Sequence, residues 1–262
     1  GLIKEYSKRL TSELGKGYTV TRLKYMRTFY ELVTKGPTLS DLFKNLNITW
    51  SNVCEIMRIT NIEEIKYYLN LSHNLCLTKR QLRQRIKLDE YNRLPVEVKE
   101  KLKSNELVST SDKVPSPVVL QNLKVDDKLT EKIVQKWIDE NPASFCEALG
   151  EGYTYVKSQY KIKIGSNYNY IDVLLFNVIN MNYVVVEIKV TELKKEHIGQ
   201  IETYMNYIDV NLKKDFHNKT TGILLVRENN KWLIKYINND GIIIRNYITN
   251  DEQVSECLGG LK

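Results

Sequence analysis

The apolar positions change period partway along the chain, and the change divides it in two. Over residues 19–91 they recur at helical spacing, as in Leu23, Met26, Tyr30 and Val33 and again in Val53, Ile56 and Met57, with short polar breaks between. That spacing predicts a bundle of short helices. Helix starts are expected at Thr38, with Asp41 three residues on, at Thr49 before Trp50, and at Thr78, because a side-chain oxygen there can accept from first-turn amides. After Gly150-Glu-Gly152 the period shortens to two, and residues 153–164, 168–176 and 183–190 read as a strand meander whose first turn is Gly165-Ser-Asn167. A helix over about 193–210 should follow, then strands at 222–226, 232–237 and 242–248. Thr130 is expected to cap a helix over 131–140 that Asn141-Pro142 stops. Residues 105–128, with Ser109-Thr-Ser-Asp-Lys and Pro115-Ser-Pro117, are turn-rich and read as a linker. The expectation is α+β: an all-α domain over 1–104, then an α/β domain with a mixed central sheet over 129–262.

Charge sharpens this division. The chain has 262 residues and a net charge of +7. Residues 1–104 hold 20 Lys and Arg against 11 Asp and Glu, whereas the remainder is slightly acidic, and eight of the ten arginines precede residue 94. A basic helical domain points to a polyanionic partner. The predicted helix 79–87 concentrates the effect: Leu82 and Ile86 form its apolar stripe, Lys79, Arg83 and Lys87 lie four apart on a basic face, and Arg80 sits beside them. The plain alternative is a solvated helix face. Trp50 and Tyr67-Tyr68 read as core rather than base-stacking groups.

No apolar run reaches the roughly 18 residues of a membrane span. The opening Gly1-Leu-Ile-Lys-Glu-Tyr is charged by its fourth residue, so no signal peptide is expected. Cys54, Cys76, Cys146 and Cys257 are far apart and fit neither a Cys-x-x-Cys pair nor a disulfide framework. The expectation is a cytoplasmic protein with reduced thiols.

Chemistry concentrates in the meander. Val184, Val186 and Ile188 alternate with Glu187 and Lys189, so an acid and a base project from one face of an otherwise apolar strand. The neighbouring strand carries Asp172 among apolar residues. Two carboxylates and a lysine on adjacent strands are what a metal-dependent phosphodiesterase requires: Asp172 and Glu187 to hold a hard cation such as Mg²⁺, for which Mn²⁺ can substitute, and Lys189 to orient water or stabilise the phosphate. An ion pair on a half-exposed sheet is the alternative for Glu187 and Lys189.

The words around these residues carry a resemblance. Tyr170-Ile-Asp-Val-Leu-Leu-Phe, Tyr183-Val-Val-Val-Glu-Ile-Lys, Gly199-Gln-Ile-Glu-Thr-Tyr-Met-Asn-Tyr and Thr221-Gly-Ile-Leu-Leu resemble the YhcG-like family of PD-(D/E)xK proteins. Leu14-Gly-Lys-Gly-Tyr, Met26-Arg-Thr-Phe-Tyr, Leu46-Asn-Ile-Thr-Trp-Ser and Leu82-Arg-Gln-Arg-Ile are similar to that family's N-terminal domain. The resemblance implies a restriction-endonuclease-like fold and a Mg²⁺-dependent nuclease acting on nucleic acid, with DNA expected ahead of RNA. It adds the backbone carbonyl of Ile188 and the helical acid Glu131 to the metal site, and Gln200 and Tyr204 as helical residues positioning phosphate or water; Glu192 is a weaker candidate. Glu131 is also where a helix dipole favours an acid regardless of metal. One centre per chain implies a homodimer if both strands, or a junction, are to be cut. The competing expectation is a nucleic-acid-binding or assembly protein whose nuclease fold does not turn over.

Overall fold

The computed structural model describes residues 1–34, 43, 46–123, 128–228 and 241–249. The helix start expected at Thr38, the strand expected at 232–237 and Cys257 lie outside the described residues. The chain forms two compact units, Gly1–Tyr91 and Asn92–Lys262.

The first unit is all helical: α1 (Leu2–Leu14), α2 (Val20–Thr34), α3 (Trp50–Ile56), α4 (Ile62–Asn74) and α5 (Lys79–Lys87) among the described residues. Its starts follow the expected chemistry. Thr49 Oγ1 accepts from the Asn52 amide at 3.3 Å. Thr78 Oγ1 accepts from the Gln81 amide while Gln81 Oε1 accepts from the Thr78 amide, a reciprocal capping box. The core comes from α3 to α5, through Val53, Ile56, Ile65, Tyr68, Leu69, Leu71 and Leu82, all buried. Tyr68 sits inside it, its hydroxyl donating to the Arg85 carbonyl and accepting from the Tyr91 amide. Trp50 and Tyr67 are also engaged with neighbouring rings, Phe29 and Tyr68 respectively, in edge-to-face contacts.

The second unit contains α6 (Val96–Lys103), β1 (Val118–Val119), α7 (Glu131–Glu140), α8 (Pro142–Leu149), β2 (Tyr153–Ile164), β3 (Asn167–Asn177), β4 (Asn182–Glu192), α9 (Lys195–Asn211), β5 (Thr221–Glu228) and β6 (Ile242–Ile248). One mixed sheet runs β1-β6-β5-β4-β3-β2. β2, β3 and β4 form the antiparallel meander, while β5 and β6 continue parallel to β4 and β1 closes parallel to β6.

Helices cover both faces, which is why β3 to β5 read as nearly unbroken apolar runs. Val173, Val184, Val186, Ile188, Ile223 and Leu225 pack with Val134, Trp137 and Ile138 of α7 and with α8. Leu174, Val185, Leu224 and Val226 pack on the other side with Ile201, Met205 and Ile208 of α9.

The segment expected to be a linker is part of this sheet. Val118 and Val119 pair with Tyr247 and Ile248, and the Leu120 amide donates to Ile248 O at 2.8 Å. Arg245 Nε donates to Val114 O at 2.8 Å, and Asn177 Nδ2 to Thr110 Oγ1 at 3.0 Å. Turn-rich composition describes this stretch locally, but its partners lie far along the chain and leave no local trace. The helix α6, inside the span expected to be the helical domain, also belongs to the second unit.

Close packing of α9 on β5 depends on Gly222, where an added Cβ would stand 2.7 Å from Met205 Sδ and 2.9 Å from Ile201 Cδ1. Gly222→Ala should therefore overpack this layer and destabilise the protein by about 1–3 kcal/mol. A chemical-denaturation midpoint equal to wild type would refute that.

Candidate active site

Asp172 and Glu187 meet where β3 and β4 part. The β3–β4 ladder ends at Val173 opposite Val186, and one residue further side chains replace backbone pairing. Glu187 Oε1 accepts from the Asp172 amide at 3.2 Å, and Asp172 Oδ2 accepts from the Ile188 amide at 2.9 Å. Each carboxylate thus satisfies an amide that the separating strands would otherwise leave unpaired. Lys189 Nζ lies 3.2 Å from Glu187 Oε2, so the acid and base expected on one strand face are in contact.

Asp172 owes its position to a break in strand alternation. Val173 and Leu175 pack on the α7 side, yet Ile171 and Leu174 both pack on the α9 side, so alternation resets at Asp172. Opposite it, Gln159 has φ of 46°, a left-handed conformation in the middle of a strand. Its Nε2 lies 3.4 Å from Asp172 Oδ1 and 3.3 Å from Gln135 Oε1 on α7. The sequence reading missed Gln159. Counting back from the Gly165 turn along the hairpin would have found it, since Lys161 pairs with Tyr170 and Tyr160 with Ile171, which sets Gln159, two positions inward, beside Asp172.

The carboxylates are buried more deeply than their charge favours. Burial pushes the Glu187 carboxyl up to about 7, assisted by the negative charge of Asp172 and opposed by Lys189. Asp172 is also raised by burial, against the Ile188 amide and Lys189, with Glu131 adding to the rise. For Lys189 burial works downward, but the carboxylates of Glu187, Asp172 and Glu131 outweigh it and leave the ammonium raised. Glu131, in the first turn of α7 behind the Thr130 cap, is exposed at the surface but acts electrostatically on this cluster.

Three carboxylates thus act on one ammonium, and this excess of negative charge fits a hard divalent cation. Among the described residues no group of three or more His, Cys, Asp or Glu side chains assembles as a metal cage. Asp172 and Glu187 are the two carboxylates that could hold a divalent cation.

The remaining expected residues are placed differently. Gln200 Nε2 donates to Tyr204 OH at 3.1 Å, confirming a shared helix face, but both bond to each other rather than to the carboxylates, and Tyr204 is buried in the α9-side core. His197 in the first turn of α9 feels the site electrostatically, its imidazole held below its ordinary range by burial and by Lys189 and Lys194. Glu192 lies exposed at the end of β4. On α5, Arg83 makes a two-pronged contact with Glu55, at 3.1 and 2.7 Å, and Lys79 and Arg58 also reach that carboxylate at 3.3 Å. The expected basic face therefore has an internal anion at its base. Arg80 is exposed, as is Lys87.

A mixed sheet displaying Asp and Glu-x-Lys at a strand divergence defines a PD-(D/E)xK nuclease domain. Residues 111–256 match the family described as YhcG PDDEXK nuclease domain, and the chain belongs to that family. Residues 1–93 match the DUF1016 N-terminal domain. The YhcG protein of Escherichia coli (strain K12) is 21% identical over 262 residues, covering 87% of this chain and 69% of the relative. More distant likenesses are the crystal structure of a repair endonuclease from Pyrococcus abyssi, at 19% identity and a TM-score of 0.33, and an EndoMS–dsDNA complex, at 20% and 0.34. The first covers 47% of this chain and 49% of that one, the second 47% and 48%, so this chain spans about half the length of either.

The raised Glu187 carboxyl sets a pH dependence for the metal-free protein. The folded state holds this proton up to about 7, whereas the unfolded chain releases it in the ordinary glutamate range. Its contribution to stability is therefore full at acid pH and lost as pH rises through about 7. In chelator, Glu187→Gln should stabilise the protein at pH ~8 by about 1–3 kcal/mol, a gain that shrinks toward pH ~4.5. Thermal melts showing an equal shift at both pH values would contradict this assignment.

Proposed function

We propose that this protein is a Mg²⁺-dependent endonuclease acting on DNA, with Mn²⁺ able to substitute. The observation that carries the reading is the junction of Asp172, Glu187 and Lys189 at the opening between β3 and β4, where a half-buried and a buried carboxylate each accept from an amide of the other's strand and the ammonium lies against Glu187. Such a cluster is unfavourable as a purely structural device, because like charges are buried together where apolar side chains would pack. A divalent cation supplies what the site lacks, neutralisation of phosphate charge and activation of water at neutral pH.

The protein's own groups have distinct parts. Asp172 and Glu187 would hold the cation together with the Ile188 carbonyl, and Glu131 would act on it through water from the edge of the site. Lys189, which lies 3.2 Å from Glu187, holds the attacking water or the phosphate as a compact point charge. Gln200, held by the buried Tyr204 hydroxyl, positions the substrate from α9.

In the helical unit, Lys79, Arg80, Arg83 and Lys87 of α5 contact DNA phosphates. Glu55 supports this, because it fixes Lys79 and Arg83 while leaving their side chains 47% and 57% exposed. Ordering the cations beforehand lowers the entropy lost on binding. The protein works as a homodimer where both strands are cut, each copy contributing one centre.

Purified protein should cut supercoiled, linear or branched DNA with Mg²⁺ or Mn²⁺ but not with EDTA. Asp172→Ala and Lys189→Ala should each reduce the rate at least ~100-fold. Cutting that survives either substitution would show that the nuclease activity lies elsewhere. In metal-free binding titrations, Arg80→Ala with Arg83→Ala should weaken affinity on all sequences and flatten the salt dependence by about 1–2 in log–log slope. An unchanged slope would remove α5 from the interface.

A further inference from the structure

The β2–β3 hairpin carries a surface that the cleavage chemistry does not use. The β3–β4 ladder stops at Val173, but β2 and β3 stay paired as far as Ile164 opposite Asn167, so residues 158–172 run on as a two-stranded ribbon whose base is Asp172. One face of the ribbon is buried toward its base, where Ile162 and Ile171 enter the α9-side core. The opposite face is set by register. Lys161 lies opposite Tyr170 and Lys163 opposite Tyr168, and directly opposed residues share a face.

That face is built for a polyanion with flat, apolar rings. Tyr168 and Tyr170 are 58% and 48% exposed, and Lys161 Nζ sits 3.8 Å above the Tyr168 ring. Residues 152–171 contain no Asp or Glu. Lysines alone would be explained by β2 being an edge strand, since charge there blocks pairing with another sheet. Two half-exposed tyrosines work against such protection. Together with ammonium groups they match how unpaired nucleotides are held, bases stacked on aromatic rings and phosphates beside cations. Tyr170 stands two residues from Asp172 on one strand, roughly 7 Å along it.

We propose that the 158–172 ribbon binds single-stranded DNA beside the cleavage site, Tyr168 and Tyr170 stacking on unpaired bases and Lys161 and Lys163 contacting the flanking phosphates. This rests on the nucleic-acid reading above, and specifies it: the preferred substrate has an unpaired stretch, as at a fork or flap.

The test is fluorescence anisotropy of the full chain in EDTA, over a salt series, with a labelled single strand, the blunt duplex of the same sequence and a fork. Wild type should bind the strand and the fork more tightly than the duplex. Tyr168→Ala with Tyr170→Ala should weaken strand and fork binding roughly ten-fold or more, spare the duplex and keep the salt slope, while the paired Tyr→Phe substitutions retain binding. Lys161→Ala with Lys163→Ala should flatten the single-strand slope by about 1.4. The proposal is overturned if the Tyr→Ala pair binds single strands as wild type does, or loses strand and duplex equally. A lysine variant that aggregates but binds unchanged would assign the charge to edge protection instead. The two readings separate cleanly: a protein that cuts nothing yet loses strand binding in the Tyr→Ala pair keeps the ribbon and loses the hydrolase, and a protein that cuts with unchanged binding in that pair does the reverse.

Discussion

Burial of two like charges at one strand divergence is the constraint around which the second unit is arranged. Asp172 and Glu187 are drawn into a sheet whose neighbouring positions are apolar, and burial alone would disfavour both anions. They are tolerated because each accepts an amide from the other's strand and because Lys189 lies against Glu187. These contacts compensate only in part, as the upward displacement of Glu187 to about 7 shows. A site left electrostatically unfinished in this way favours whatever supplies positive charge, and it orders the chain for that arrival before it occurs.

The rest of the sheet holds this arrangement still. β4 runs between an antiparallel and a parallel neighbour and is packed from both faces, so Glu187 and Lys189 project from a strand held on every side. Close approach of α9 over Gly222 brings its first turn, with His197, into the field of Lys189. The Thr130 cap fixes the start of α7 and with it Glu131. Rigid elements therefore set the charges from three directions.

What was legible in the sequence follows from how local the signal is. Glu187 and Lys189 stood out because charge in an apolar, alternating strand requires a reason, and the period of two placed them together. The meander was legible for the same reason, with β2 and β6 found at their full extents. The role of residues 110–120 was not, since β1 exists only through pairing with a strand more than a hundred residues away. Asp172 was identified, but its orientation was not: strict alternation would place it simply on the Leu174 face, whereas the left-handed turn at Gln159 resets the pattern there.

The basic charge of the helical unit shows the same limit from another side. Counting lysines and arginines treats each as available to a partner, yet Arg85 is buried against Glu90 and serves the core. Arg83 and Lys79 stand between these extremes, pinned by a buried carboxylate but open to solvent. Glu55 itself is held below the ordinary carboxylate range, first by the Arg83 hydrogen bond, so it remains ionised and keeps its cations in place at neutral pH. A surface of this kind presents less net charge than its sequence suggests, but the charge it presents is already oriented. Orientation of this kind suits a regularly spaced polyanion better than diffuse attraction to any acidic surface, and the role proposed for α5 rests on it.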